Sequence, residues 1–97
     1  MAVIEVITFR LAPDVEETAF RDADARAQTE FHYRQPGLVR RTTARSAAGE
    51  WLVVTLWGSP DHADASQTAS QGDPTVTRWA ALLAPSSIST SRYETLD

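Results

Sequence analysis

The sequence contains no cysteine, and this absence excludes disulfide bonds, thiol nucleophiles and thiolate metal sites together. It also lacks an apolar run of membrane-spanning length. The residues after Met1 lead straight into strand-like sequence rather than into a charged leader and an apolar signal core. We therefore expect a cytoplasmic protein with no membrane segment.

Positive charge is also scarce. The nine basic residues are all arginine and face 13 acidic residues, so the formal net charge is −4. These arginines are scattered along the chain rather than massed in one stripe, which argues against a nucleic-acid partner. His32 and His62 are far apart in the sequence and have no cysteine beside them, so no familiar zinc-ligand spacing is present. We predict neither a metal nor another cofactor.

The strongest structural signal is an uncharged segment from Trp51 to Trp57, bounded by Gly49 on one side and by 58–60 on the other. Its aromatic, β-branched and leucine side chains are typical of a β-strand. Because side chains alternate along a strand, both of its faces are apolar and both need cover. The segment therefore predicts a central strand within one domain, residues 1–97, that is large enough for a single core.

The remaining segments predict a simple alternation of strands and helices. Residues 2–11 form a first strand, 14–34 a helix capped by Asp14, and 38–46 a polar edge strand. After the central strand, Ser59 and Pro60 open a helix over 60–70, and Asp73 and Pro74 open another that ends before Pro85. Residues 86–96 form a last, edge-like strand.

This order of elements predicts an α+β fold, the ferredoxin-like split βαβ plan with a four-stranded antiparallel sheet in the order 4-1-3-2. The two most apolar strands then lie in the middle. Helices cover one face of such a sheet and leave the other open, with Val and Ile side chains on it. We expect the open face to pair with a second copy of the chain, giving a homodimer.

Three short segments resemble a known superfamily, the dimeric α/β-barrel proteins typified by antibiotic-biosynthesis monooxygenases. They are Pro36-Gly37 before a strand, the Gly49–Trp51 hairpin entry, and Leu56–Pro60 leading into an alanine-containing helix. The similarity covers nearly the whole chain. It implies a homodimer that forms an α/β barrel. It also implies an activity found among the superfamily's members, which include cofactor-independent monooxygenases of hydroxy-aromatic or quinol compounds, haem-degrading enzymes and polyketide cyclases.

The resemblance also carries over to individual positions. Trp57 matches the tryptophan that closes the third strand and lines the pocket in the monooxygenase and haem-degrading members. The asparagine that these members use on the first strand falls at Ile7, and the chain contains no asparagine at all. Haem degraders need a histidine on the later helical segment, where this chain has 77–79, Thr-Arg-Trp, so the resemblance does not extend to haem ligation.

Candidate site residues follow from this comparison and from side-chain chemistry. Trp57 and Trp79 are suited to form flat walls for a planar aromatic ligand, although tryptophan also fills cores, and Arg40 or Arg78 could meet a phenolate, quinone oxygen or carboxylate. Glu5 and His62 are the candidate bases.

Each candidate base also has a simpler interpretation. On a central strand, Glu5 needs water or an arginine from a neighbouring strand. Both His32 and His62 lie at helix ends, where surface or capping roles are common. The sequence thus supports a cofactor-independent monooxygenase or, alternatively, a non-catalytic dimeric domain that binds a ligand or a partner.

Overall fold

The computed structural model describes residues 1–96, so Asp97, the last residue of the predicted domain, lies outside the described residues. In chain order the elements are β1 (Val3–Phe9), α1 (Glu17–Glu30), β2 (Leu38–Arg45), β3 (Trp51–Trp57), α2 (Pro60–Ser70), α3 (Pro74–Ala80) and β4 (Ser89–Glu94). Short 3₁₀ turns follow α1 at His32–Arg34 and precede β4 at Pro85–Ser87.

The four strands form one antiparallel sheet in the order β2-β3-β1-β4. This arrangement confirms the predicted split βαβ topology, with β1 and β3 in the centre. The polar strands β2 and β4 lie at the two edges, as their sequences predict. The register pairs Glu5 with Thr55 and, on its other side, with Arg92, which brings residues from three strands onto one face.

Two of the three predicted helix caps are confirmed. The Ser59 side chain accepts a hydrogen bond from the backbone N–H of His62 at the start of α2, and Asp73 accepts from Thr75 and Val76 at the start of α3.

The predicted Asp14 cap of α1 is wrong. The helix begins at Glu17, and the Val15 N–H donates to the Ala12 carbonyl at 3.0 Å. This turn directs Val15 against the core before the helix starts.

The core lies between the sheet and the helices. Four aromatic side chains interlock there, with Phe20 in contact with Phe9, Trp51 and Trp79 at centroid distances of 5.6, 4.7 and 6.1 Å. A second buried cluster of Val3, Trp57 and Ala63 fills the other end of the same face. The helices therefore cover the sheet face that carries the odd-numbered residues of β1 and β3.

The opposite face of the sheet has a different character. Its apolar side chains are only partly buried, whereas five side chains of β1 and β3 on the helix-covered face are almost fully buried. Because neighbours on a strand point to opposite faces, the helices α1, α2 and α3 cannot cover both. The partly buried side chains on the open face are Ile4, Val6, Leu52, Val54 and Leu56.

Among residues 1–96, no helix is long and apolar enough to cross a membrane.

Candidate functional site

A cavity of about 540 Å³ lies between the helix-covered face of the sheet and helices α2 and α3. Its floor comes from all four strands, and one wall comes from the 3₁₀ turn after α1. Both apolar and polar residues line it. The lining residues are Glu5, Val6, Ile7, His32, Arg41, Val53, Thr55, Trp57, Ala63, Ser66, Gln67, Ser70, Val76, Trp79, Thr90, Ser91 and Arg92.

Trp57 and Trp79 both line this cavity, as their proposed role as walls requires. Trp57 is the last residue of β3, and Trp79 lies near the end of α3. Both indole rings are buried, and both indole N–H groups point to a carboxylate of the protein. Each carboxylate is in turn paired with an arginine, so each tryptophan belongs to a Trp–carboxylate–Arg set.

We name the first set, Trp79, Asp24 and Arg41, the buried triad. Trp79 Nε1 donates to Asp24 Oδ1 at 2.9 Å, and Arg41 Nη2 donates to the same oxygen at 2.8 Å. The side chain of Arg41 is only 2% exposed and that of Asp24 13%. Arg41 also donates to Gln28 Oε1 at 3.1 Å, and its guanidinium carbon lies 6.0 Å from the Trp79 ring centroid. This network fixes Trp79 against α1 and β2.

We name the second set, Trp57, Glu5 and Arg92, the exposed triad. Trp57 Nε1 donates to Glu5 Oε1 at 2.9 Å, and Arg92 donates to Glu5 Oε2 from Nη2 at 2.8 Å and from Nε at 3.2 Å. These two charged side chains are 31% and 35% exposed. The Arg92 Nη1 group also pairs with Asp64 at 2.8 Å, so Arg92 ties β4 to α2.

Glu5 is therefore paired with an arginine of a neighbouring strand, as expected for a carboxylate on a central strand. The hydrogen bonds that Arg92 donates to Glu5, the largest cause, and to Asp64 raise the pKa of Arg92. Both Glu5 oxygens already accept hydrogen bonds, and the indole N–H of Trp57 is occupied as well. A ligand that uses any of these groups must compete with an existing bond.

His32 is the other titratable side chain in the cavity wall. Its ring makes no hydrogen bond to residues 1–96 and packs edge-on against Phe31, with centroids 5.1 Å apart. Burial, and then the positive charge of Arg41, lower the pKa of His32 to about 4, although Asp24 and Asp73 act in the opposite direction. At neutral pH the imidazole is therefore uncharged, with one nitrogen as donor and the other as acceptor.

The turn that carries His32 is anchored to the sheet edge by the next residue. The Tyr33 hydroxyl accepts a hydrogen bond from the Arg41 backbone N–H at 2.9 Å and donates to the Arg41 carbonyl at 3.2 Å. These bonds satisfy the backbone N–H and C=O of Arg41 on the outer edge of β2, which has no neighbouring strand on that side. They also hold His32 beside the Arg41 side chain.

Three predicted site residues lie outside this cavity, which corrects the expectation that they share it with the tryptophans. His62 is exposed, bonds Ser59 Oγ through Nδ1 at 2.9 Å, and lies so close to Gly37 that a Cβ there would overlap its ring. Arg40 pairs with Leu56 and therefore lies on the open face of the sheet. Arg78 is exposed on α3.

The cavity also holds charged and polar residues that sequence reasoning did not select. Arg41 rather than Arg40 reaches it, because Arg41 pairs with Thr55 on the helix-covered face. Alternation along β2 separates these two arginines, but β2 is polar on both faces and its sequence does not show which face is covered. Arg92 also lines the cavity, whereas Asp24 supports Trp79 from outside it. In the sequence both are visible only as charged residues, on an edge strand and a helix, where solvent exposure is the usual outcome.

The arrangement is suited to bind a flat molecule with polar edges. Two indoles and the aliphatic side chains of Ile7, Val53 and Val76 supply apolar surface. Polar groups lie at both ends, at Glu5 with Arg92 and at His32 with Arg41. Within residues 1–96, no three His, Asp or Glu side chains are grouped so that they could hold a metal ion.

Comparison with known proteins gives a uniform answer about the fold. No family model and no curated sequence matches the chain, but solved structures do. A mutant of SnoaB, a cofactor-independent oxygenase from Streptomyces nogalater, aligns over 99% of this chain and 94% of its own, with 21% identity and a TM-score of 0.81.

Two structures provisionally assigned as antibiotic biosynthesis monooxygenases give similar results. The protein from Bordetella bronchiseptica aligns over 98% of this chain and 97% of its own, with 15% identity and a TM-score of 0.79. The protein from Nitrosomonas europaea aligns over 98% and 90%, with 17% identity and a TM-score of 0.77. The chain therefore has the fold of the antibiotic-biosynthesis-monooxygenase structures, which confirms the resemblance at the level of the fold.

Proposed function

We propose that this protein binds a hydroxy-aromatic or quinol compound in the cavity and oxidises it with dioxygen, without a metal or an organic cofactor. The observation that carries the proposal is the cavity of about 540 Å³ with Trp57 and Trp79 in its walls. Its volume falls within the range of small-molecule sites, and its two indoles suit a planar ring system. The likeness to a cofactor-independent oxygenase supports the reaction class.

The reaction requires a substrate that becomes an electron donor when it loses a proton. In this proposal Glu5 takes that proton, because it is the one predicted base that lines the cavity. The resulting enolate or phenolate passes electrons to dioxygen and forms a C–O bond. Cleavage of the O–O bond with loss of water then leaves a carbonyl, so one oxygen atom enters the product and the other leaves as water.

The test is oxygen uptake with naphthoquinols and anthrones, in the wild type and in two tryptophan variants. We expect Trp57→Phe to lose at least about tenfold in uptake, by more than its loss of folding stability accounts for. Trp51→Phe is the matched control, since Trp51 is buried against Phe20 and does not line the cavity. Equal losses in both variants would show that Trp57 serves only the core.

A non-catalytic ligand-binding or interaction domain is the second candidate. The observation in its favour is that both Glu5 oxygens and the Trp57 indole N–H are already hydrogen-bonded within the protein. A site of this kind has no free base or oxyanion donor at that end. Saturable binding of these compounds with no oxygen uptake would select this alternative over the monooxygenase.

Either function is proposed for a homodimer that forms through the open face of the sheet. The partly buried row formed by Ile4, Val54 and their neighbours, together with Tyr93 at 58% exposure, supports this arrangement. Sedimentation at micromolar concentration should give twice the chain mass, and Val54→Asp should give a monomer. A compact wild-type monomer of 10.7 kDa would contradict the barrel.

The cytoplasmic location stays a prediction. Cell fractionation followed by immunoblotting would check it, with a known cytoplasmic protein as the marker.

A further inference from the structure

We propose that His32 is a specificity-determining residue, which holds a ring hydroxyl of the ligand by a neutral hydrogen bond at the Arg41 end of the cavity. The inference rests on the proposed function, since it identifies the oxygen substituent that the same cavity selects. It depends on three features of this end of the cavity: an imidazole that bonds to no other residue among 1–96, a backbone position fixed on both sides, and surrounding charges with no net positive sum.

The imidazole has hydrogen-bonding capacity that the protein does not use. His32 lines the cavity, and neither ring nitrogen bonds to residues 1–96. No side-chain nitrogen or oxygen in residues 1–96 is fully buried without a partner, so the ring nitrogens reach solvent. A ligand that supplies a hydrogen bond replaces water there, and the neutral ring offers one donor and one acceptor. A hydroxyl group can bind either nitrogen, because it can donate to the unprotonated one or accept from the protonated one.

Contacts made by the residues before and after His32 hold its position in the chain. Phe31, which is 4% exposed, fixes the preceding position in the core and contacts the imidazole edge-on. Tyr33 fixes the following position through its two hydrogen bonds with the Arg41 backbone. A hydrogen-bonding group held in this way loses little conformational entropy when a ligand binds.

The charges around His32 favour an uncharged ligand group. Arg41 on β2 faces it, but Asp24 on α1 neutralises Arg41 at 2.8 Å, and Asp73 lies at the start of α3. The low pKa of His32, about 4, leaves the imidazole neutral throughout the physiological range. This end of the cavity therefore contributes no net positive charge for a carboxylate, whereas a neutral phenol or quinol hydroxyl finds a partner.

The experiment compares 1-naphthol with 1-methoxynaphthalene by isothermal titration calorimetry. The two probes share the ring system, and only the first carries a hydroxyl. We expect the wild type to bind 1-naphthol about fivefold to tenfold tighter, which is the effect of one neutral hydrogen bond. In His32→Phe this ratio should fall to about one, whereas His32→Gln, which keeps a donor and an acceptor, should retain most of it.

The ratio is used because a purely structural role of His32 would weaken both probes equally and leave it unchanged. His62→Gln is the matched control, since it removes the only other imidazole and lies outside the cavity. A second readout needs no variant: on addition of 1-naphthol, the ring NMR signals of His32 should shift and those of His62 should not.

The outcomes separate this inference from the function on which it rests. If the wild type binds neither probe, both proposals are overturned. If it binds both probes equally, the cavity stands as an aromatic site but the hydroxyl selectivity is overturned. If the ratio persists in His32→Phe, another group provides the selectivity and the role of His32 is overturned.

Discussion

The two tryptophans of the cavity are held by the same chemistry in two different environments. In each triad an indole N–H donates to a carboxylate that is paired with an arginine at 2.8 Å. In the buried triad the arginine is 2% exposed, and in the exposed triad it is 35% exposed. Burial, not the contact itself, therefore decides whether such a pair maintains the fold or remains available for exchange with solvent and ligands.

The physical reason is the energy of an unpaired charge. Removal of one partner from a buried pair leaves the other without solvation, whereas water replaces the lost partner at an exposed site. We therefore expect the buried triad to act as a structural support for Trp79. The exposed triad, at the cavity end between β4 and α2, is where ligands can compete for Glu5 and Arg92.

The largest predicted effect tests the buried triad. Arg41→Met removes the cation and leaves Asp24, 13% exposed, without its charge partner. We expect the free energy of unfolding to fall by about 3–5 kcal/mol, which urea denaturation would measure as a lower midpoint at an unchanged m-value. The double variant Arg41→Met with Asp24→Asn should recover part of this loss, because it no longer buries an unpaired carboxylate. A loss below about 1 kcal/mol, as at an exposed pair, would contradict the structural role of the buried triad.

The next effect concerns His32, which lies beside the buried triad. Its folded-state pKa of about 4 is below the ordinary value of 6.5, so between these values the unfolded chain binds a proton that the folded chain does not. The contribution to stability is complete above pH 6.5 and is lost as the pH falls towards 4. It is on the order of 3 kcal/mol.

Urea unfolding between pH 7.5 and pH 4.5 would measure this dependence. His32→Gln should lose this part of the acid destabilisation, and His62→Gln should follow the wild type. Parallel curves for the wild type and His32→Gln would show that the imidazole is not buried as described.

The smallest predicted effect concerns the exposed triad. Arg92→Met breaks the pairs with Glu5 and Asp64, but both carboxylates reach water. We expect the free energy of unfolding to fall by only about 0.2–1 kcal/mol, and the difference from the wild type to shrink further in 1 M NaCl. A loss as large as that of Arg41→Met would show that the exposed triad is also structural.

The fold could be predicted from the sequence because several independent signals agree. The uncharged segment from Trp51 to Trp57, the Ser59-Pro60 and Asp73-Pro74 helix starts, and two polar edge strands permit few topologies. The prediction of an Asp14 cap is wrong because a local turn and the partial burial of Val15 outweigh a capping preference worth about 1 kcal/mol.

The site was harder to predict, because it depends on which residues of different elements meet. Tryptophans at the end of β3 and on α3 are conspicuous, so Trp57 and Trp79 stood out. The sequence alone does not distinguish Arg40 from Arg41. Only the register of β2 shows that they lie on opposite faces of the sheet. The position of His32 depends on a 3₁₀ turn and on the Tyr33 contacts with β2, which a helical pattern cannot show.

The most direct test of the central claim is a tryptophan-fluorescence titration with a hydroxyanthraquinone. The claim is that the cavity between the two triads binds planar aromatic compounds, and two of the three tryptophans line it. We predict saturable quenching with one site per chain, retained in Trp51→Phe, where only the cavity indoles report. Quenching that is absent, or that rises without saturation, would contradict the claim and leave Trp57 and Trp79 as residues of the core.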